Sequence, residues 1–326
     1  MTSQTTERIP DAEPEFNYMD PISLTAAIMM VTNGIFGVVC NSFVIYIFCK
    51  EKNEKTSFNV ICMVRAVVNL STITTNHLLA FTPTTGKPFL SKPFESWMIS
   101  ICNSLYTANE LSTVLIAVNR FIAIFFPTYY VKLCGMKSTI GIIAIIYVSR
   151  IIIIIVEVAQ TSALGCYATY SPVYLSWFSD YSTDCLAIAN NTSVPIVMTT
   201  TFLSILLINM ATFTKICLFY KNGSKEDTES NKRIKKNIYL FIQTCIQDSL
   251  YVIDVSCTFY FVSLYQSRIW IFICGTFVWE SLHSLDGFIM ILFKERVPCL
   301  QKPLFKHLSS KVEVVHVSQK ISRAIS

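Results

Sequence analysis

A seven-helix transmembrane bundle is the fold class the sequence predicts, and three observations predict it. The chain of 326 residues is 52% hydrophobic and only 14% charged, with a mean hydropathy of +0.50; a water-facing domain carries about 25% charge. The apolar residues fall in long runs, and the basic residues cluster between them. This composition argues against a soluble enzyme and against a disordered chain. The net charge of +5 does not point to nucleic acid, because clusters spaced by apolar runs are the mark of membrane topology.

A transmembrane helix needs about 20 mostly apolar residues to cross the ~30 Å hydrocarbon layer. The runs 22–48, 57–81, 94–126, 139–160, 194–219, 237–264 and 268–292 meet that need. The third opens on a polar-tolerant turn, Phe94-Glu95-Ser96-Trp97, and the last two are separated by Tyr265 to Ser267 alone. The chain shows no internal repeat of the kind many transporters carry. Alternating the loops across the membrane puts 20 of the 26 Lys and Arg on one side and 4 on the other. Positive residues stay in the cytoplasm, so the N-terminus is expected outside and the C-terminus inside. The expected organisation is an extracellular tail over 1–21, a receptor-like bundle over 22–292 and a cytoplasmic tail over 293–326. The acidic first 20 residues lack a basic and then apolar leader, so the first span is expected to act as its own insertion signal.

The loops carry further expectations. The segment 221–236 is dense in charge of both signs and belongs in water. The segment 161–193 is the longest outer loop and holds Cys166 and Cys185, the two of twelve cysteines that this topology exposes to an oxidising space. A Cys166–Cys185 disulfide is expected there, with free or otherwise paired thiols as the alternative. Asn190 and Asn191 begin overlapping glycosylation sequons beside the fifth span, whereas the sequons at Asn69 and Asn222 lie in a span and on the cytoplasmic side. Cys299 follows the seventh span in KERVPCLQKPLFKHL, a candidate interfacial helix with a palmitoylated cysteine; an unmodified thiol is the alternative.

Ionisable groups in a bilayer are costly and point to function. Arg65 lies eight residues in from Ser57, about 12 Å at 1.5 Å per residue, and Asp286 lies equally far from Lys294, so the two match in depth. Glu110 and Arg150, both near mid-membrane, are a second candidate pair. With Asn41, Asn69 and Asp248 these residues form a candidate intramembrane polar network. Glu280, His283 and Asp286 are spaced i, i+3, i+6 and so form one stripe on the seventh helix. A cavity lined by spans two, three, six and seven gives His77, Cys102, Asn103, Tyr106, Asp254, Glu280 and His283 as candidate contacts for a cationic or hydrogen-bonding small molecule. A buried hydrogen-bond network with no ligand is the alternative reading of the same stripe.

Local motifs give the bundle a family likeness. Asn119-Arg120-Phe121 stands where rhodopsin-like receptors carry Asp/Glu-Arg-Tyr at the cytoplasmic end of span three, and Pro127 ends that helix. Asn41 in GVVCNSFVIYI resembles those receptors' Gly-Asn-x-x-Val region; Asn69 falls 28 residues later, where an Asp is usual, and Asp286-Gly287-Phe288 stands in place of Asn-Pro. Three stretches are more specific: KTSFNVIC over 55–62 with Arg65 after it, VNRFIAIFFP over 118–127, and FIQTCIQD over 241–248. They resemble the nematode serpentine chemoreceptors of class x (Srx), across roughly 30 to 295. The resemblance implies a G-protein-coupled chemosensory receptor of sensory-neuron plasma membranes and their cilia. Its partners would be a small-molecule ligand and a heterotrimeric G protein, met by Asn119, Arg120, Phe121, Lys132, Lys232, Arg233, Lys235 and Lys236. The chain departs from rhodopsin-like receptors in three places. Glu95, not Cys, stands 25 residues before Arg120; span six has no proline; span seven lacks Asn-Pro-x-x-Tyr.

Competing readings are weighed on the same residues. A retinal opsin needs a Lys in span seven, and 268–292 has none. A membrane zinc enzyme needs several ligands at one depth, and only His77, His283 and Glu280 offer themselves, so no metal or other cofactor is expected. No phosphate loop or nucleophile elbow is present. A transporter or ligand-gated channel using the intramembrane acids is the alternative; the missing repeat and a content of 9 Gly stand against it. The topology is directly checkable. An epitope before Asp11 should stain on intact cells, and one after Ser326 only after permeabilisation; the reverse pattern would overturn the positive-inside assignment.

Overall fold

In a computed structural model, residues 20–50, 56–86, 90–179, 185, 193–221 and 228–293 are described. Seven long helices make up most of them: α1 (Pro21–Lys50), α2 (Ser57–Thr85), α3 (Lys92–Phe125), α4 (Met136–Ala163), α5 (Ser193–Lys221), α6 (Thr228–Phe259) and α7 (268–292). Among the described residues, α1 to α5 carry stretches long and apolar enough to cross a membrane. The other two fall short for a physical reason. α6 begins within the charged segment and carries Gln243, Gln247, Asp248 and Asp254, while α7 carries Glu280 and Asp286.

Helix starts follow from local chemistry. Asp20 caps α1, its Oδ1 accepting the N–H groups of Ile22 (2.8 Å) and Ser23 (3.2 Å). Thr56 caps α2 by accepting the N–H of Asn59. Pro93 stands in the first turn of α3, where its missing N–H costs nothing. Two helices depart from regular winding: His77–Phe81 in α2 and Ile273–Phe277 in α7 form single π turns.

Packing is close where α1 meets α7. A Cβ on Gly37 would lie 2.3 Å from Ser284 Oγ, and one on Gly287 would lie 2.7 Å from Asn41 Cγ. Small residues bring helix axes together in this way when neither side offers a hydrophobic gain over lipid. The outward faces are apolar. Ile145 on α4 is 70% exposed and Leu207 on α5 is 69% exposed. Side chains of this kind are stable against acyl chains and costly in water.

One end of the bundle is closed by a two-stranded antiparallel hairpin, β1 (Ala168–Ser171) and β2 (Ser176–Ser179), with Tyr170 opposite Trp177. A Cys166–Cys185 disulfide ties its flanks, Cα to Cα 5.5 Å apart. The hairpin turn drives Leu175 into the bundle. Leu175 adopts a left-handed backbone (φ 56°), is fully buried with Phe272, Met30 and Ala26, and accepts the Thr276 hydroxyl on its carbonyl. Glu95 accepts the Tyr170 N–H, Ser96 accepts that of Ala168, and Thr84 donates to the Tyr170 hydroxyl. The hairpin is thus pinned to α2, α3 and α7 together. Asn190, Asn191 and Cys299 lie outside the described residues.

Arg268 completes this closure. Its guanidinium donates to Asp20 Oδ2 (2.7 Å), to Ser23 Oγ (2.6 Å) and to the Pro172 carbonyl (2.8 Å), joining α7, α1 and the hairpin turn. Burial pushes the Asp20 carboxyl up, but the hydrogen bonds from Ser23 and Arg268 outweigh it and hold the group well below the usual carboxylate range. A depressed folded-state pKa stabilises the fold above the unfolded value and loses that contribution as pH falls. The thermal midpoint of protein in lipid nanodiscs should therefore drop below about pH 4 in part through Asp20. Asp20→Asn should lower the midpoint at pH 7 and flatten that acid limb; an unchanged limb would show that this latch contributes nothing.

Candidate functional site

A lattice of buried polar side chains crosses the middle of the bundle. Arg65 on α2 donates to Asp286 Oδ1 on α7 at 2.7 Å, both side chains 1% exposed. Gln247 on α6 donates to the same oxygen at 2.7 Å, and Asn69 on α2 donates to Oδ2 at 2.8 Å. Asn69 Nδ2 also reaches Asn41 Oδ1 on α1 at 3.3 Å. Its Oδ1 accepts from Asn109 on α3 (2.9 Å) and lies 2.9 Å from His283 Nδ1 on α7. Asn109 in turn accepts the Tyr147 hydroxyl of α4 at 2.7 Å, and Asn41 donates to the His283 carbonyl. One connected network thus touches α1, α2, α3, α4, α6 and α7. In a low-dielectric interior an unpaired member would be costly, so each helix is held in one register.

Three members of the candidate network stand elsewhere. Among the described residues no ion pair joins Glu110 to Arg150: the Arg150 carbonyl accepts the Ser104 hydroxyl, and neither Arg150 Nε nor Glu110 Oε2 has a hydrogen-bond partner. Asp248 turns to α5 and accepts from Asn209 Nδ2 at 2.7 Å. Depth alone did not fix which of these groups pair.

The candidate ligand residues do not form one open chamber. Glu280 is fully buried, accepts from Asn76 Nδ2 at 3.2 Å and lies 3.8 Å from His77. His77 packs against α1 over Gly34, where a Cβ would meet its ring. His283 belongs to the central lattice. Cys102 is sealed in an apolar cluster with Leu79 and Ile99, capped by Trp177 of the hairpin and by Trp279. Asn103 is exposed on the far face of α3. The physical reason is the hairpin: its side chains occupy the space between α2, α3 and α7 that the sequence left for a ligand. Tyr106 and Asp254 do meet, the Tyr106 hydroxyl donating to Asp254 Oδ2 at 2.8 Å.

Among the described residues, open space lies across the bundle. A cavity of about 400 Å³ is lined by Glu110 and Thr113 of α3, by Met198, Thr199, Phe202 and Ile205 of α5, and by Asp248, Tyr251, Val252, Val255, Ser256, Phe259 and Tyr260 in and just after α6. That volume suits a small organic molecule. α5 packs along α3, and its bond to α6 is the single pair Asn209–Asp248 among the side-chain hydrogen bonds of described residues. Tyr251 links the cavity to the lattice, because the Arg65 guanidinium sits 5.8 Å from its ring. Met198, Phe202, Tyr251 and Phe259 escaped the sequence reading. The signal for them was two acids, Glu110 and Asp248, within spans three and six.

At the end remote from the hairpin, Arg120 of α3 is buried with its Cζ 3.8 Å from the Phe58 ring centre, and its Nε and Nη2 have no hydrogen-bond partner. Asn119 accepts the Tyr130 hydroxyl at 3.1 Å, and Phe121 stacks on Phe125. Lys132 is exposed on the helical turn Tyr130–Leu133. Lys232, Arg233, Lys235 and Lys236 fall on the first turns of α6.

The ion pair is testable by a mutant cycle. Arg65→Met or Asp286→Leu alone leaves one charge buried without its partner, a loss of about 3–5 kcal/mol. Both single variants should lose surface expression, and the double variant should regain most of it. A double variant no better than the worse single would show that the two side chains act independently.

Comparison with known proteins agrees with this architecture. A profile of the serpentine type 7TM GPCR chemoreceptor Srx family matches residues 31–294. Serpentine receptor class X 45 of Caenorhabditis elegans is 22% identical in an alignment covering 95% of this chain and 87% of the relative. With its seven long helices, its buried polar lattice and a family match over most of its length, the chain belongs to the Srx family of serpentine seven-transmembrane chemoreceptors.

Proposed function

We propose that this chain is a chemosensory receptor of the plasma membrane, in sensory neurons and their cilia, that binds a small extracellular molecule and activates a heterotrimeric G protein. The hairpin end faces outward, and residues 22–292 cross the membrane seven times. The disulfide at that end supports the orientation, since such bridges persist in oxidising compartments. The observation that carries the mechanism is the contact between Tyr251, on the cavity wall, and Arg65, in the lattice. A ligand that fills the cavity acts on Tyr251, and through it on a network that fixes six helices. A ligand shifts a two-state bundle only by its differential affinity for the two states; a cavity wall that moves with the lattice provides that difference.

The output end is Arg120, ten residues and about 15 Å along α3 from Glu110. Held over Phe58 with two guanidinium nitrogens unpartnered, it has hydrogen-bonding capacity in reserve. Opening of the helix ends around Arg120, Lys132 and 232–236 presents that capacity to a G-protein α subunit on the cytoplasmic side.

Cells expressing the receptor and a promiscuous Gα subunit, exposed to a panel of small odorants and metabolites, should give a second-messenger response. Arg120→Ala should abolish it with surface staining intact. A response that survives the substitution would make Arg120 structural. A ligand-driven current or uptake that needs no G protein would move the transport reading ahead of this one.

A further inference from the structure

The cavity between α3, α5 and α6 has a chemical character that narrows what it binds. Its walls are mostly apolar, with Phe202, Ile205, Val252, Val255 and Phe259 on facing sides. Two carboxyl groups reach it, Glu110 and Asp248, and no Lys, Arg or His lines it. Asp248 spends one oxygen on Asn209. Glu110 is 6% exposed, and its Oε2 has no hydrogen-bond partner; Tyr251 is 7% exposed, and its hydroxyl has none either. Leaving such atoms unsatisfied is costly, more so for a charged group. Both residues line the same cavity, where a donor that arrives from elsewhere would satisfy them.

From these residues we infer that the cavity recognises an amine: a basic nitrogen on a small apolar body, with the ammonium between Glu110 Oε2 and the Tyr251 hydroxyl and the body against Phe202, Val252 and Phe259. An ammonium offers three donors and the positive charge that two acids in an apolar surround favour. A carboxylate ligand would add a third negative group to the site, and a neutral alcohol would satisfy one acceptor without the charge. The inference rests on the receptor reading for its biological sense, and on the cavity alone for its chemistry.

The test measures binding without signalling. Full-length protein in phosphatidylcholine nanodiscs is titrated with 3-phenylpropylamine, 3-phenylpropan-1-ol and 3-phenylpropanoate near neutral pH. The amine should bind saturably and at least about tenfold more tightly than the alcohol, equivalent to about 1.4 kcal/mol, and the acid should not bind. Glu110→Gln should bring the amine to the level of the alcohol, and Ile205→Trp, which fills the cavity from the α5 wall, should remove both. Asp248→Asn serves as a second acid variant, and each variant is first checked for unchanged size-exclusion behaviour and thermal midpoint. Equal binding of alcohol and amine, no saturable amine binding, or a tenfold preference that survives in the folded Glu110→Gln protein would overturn the inference. Amine binding of the expected kind without any G-protein response would leave the site standing and sink the receptor reading. A G-protein response to a non-basic compound, with no amine binding, would do the opposite.

Discussion

The Arg65–Asp286 ion pair is the interaction on which the rest of the bundle is arranged. Two charges buried together in a membrane interior are tolerated only where geometry and further hydrogen bonds make up for lost hydration. Asp286 meets that demand with both oxygens occupied, by Arg65 and Gln247 on one and Asn69 on the other. The asparagines then extend the same requirement outward to α1, α3 and α4. Because lipid offers little hydrophobic drive between helices, polar pairing and close approach decide which faces meet. Gly37 and Gly287 supply that approach beside Asn41.

This arrangement also decides where space remains. The lattice and the hairpin together fill the α1, α2 and α7 side: Leu175 and Trp177 enter from the end, and Asn41, Asn69 and His283 occupy the middle. α5 stands outside the lattice, tied to α6 by the Asn209–Asp248 hydrogen bond. A helix exempt from the tightest constraint is the one beside which a cavity can persist. Tyr251 is where the loose side touches the rigid one.

The helices were legible because bilayer thickness imposes a length that composition alone reveals, and the disulfide because the topology left Cys166 and Cys185 together. The Arg65–Asp286 match was legible as equal depth. Depth, however, is one coordinate. Glu110 and Arg150 share it as well, yet no hydrogen bond joins Glu110 Oε2 or Arg150 Nε to any partner, and rotation about a helix axis cannot be read from spacing when both faces are apolar. The hairpin was illegible for another reason. Its strands are short and lie inside a loop, where pairing depends on tethers such as Glu95 and Arg268 that come from distant parts of the chain. Those tethers put protein where the sequence reading had put a ligand around Cys102 and Glu280.

The π turns of α2 and α7 bear on how relatives of this chain should be compared. Each π turn accommodates one residue more than a regular helix of the same rise, and one residue is about 100° of rotation. Residues before Ile273 on α7 therefore present a different face from the one that periodic counting back from Asp286 assigns. A one-residue deletion within 273–277 would restore regular winding and swing Phe272 away from Leu175 while leaving the Asp286 lattice untouched. In a lineage that diverges quickly, a single codon gained or lost at such a turn re-faces half a helix in one step. An alignment that charges it as a gap would score as decay what is a change of contacts at the hairpin end.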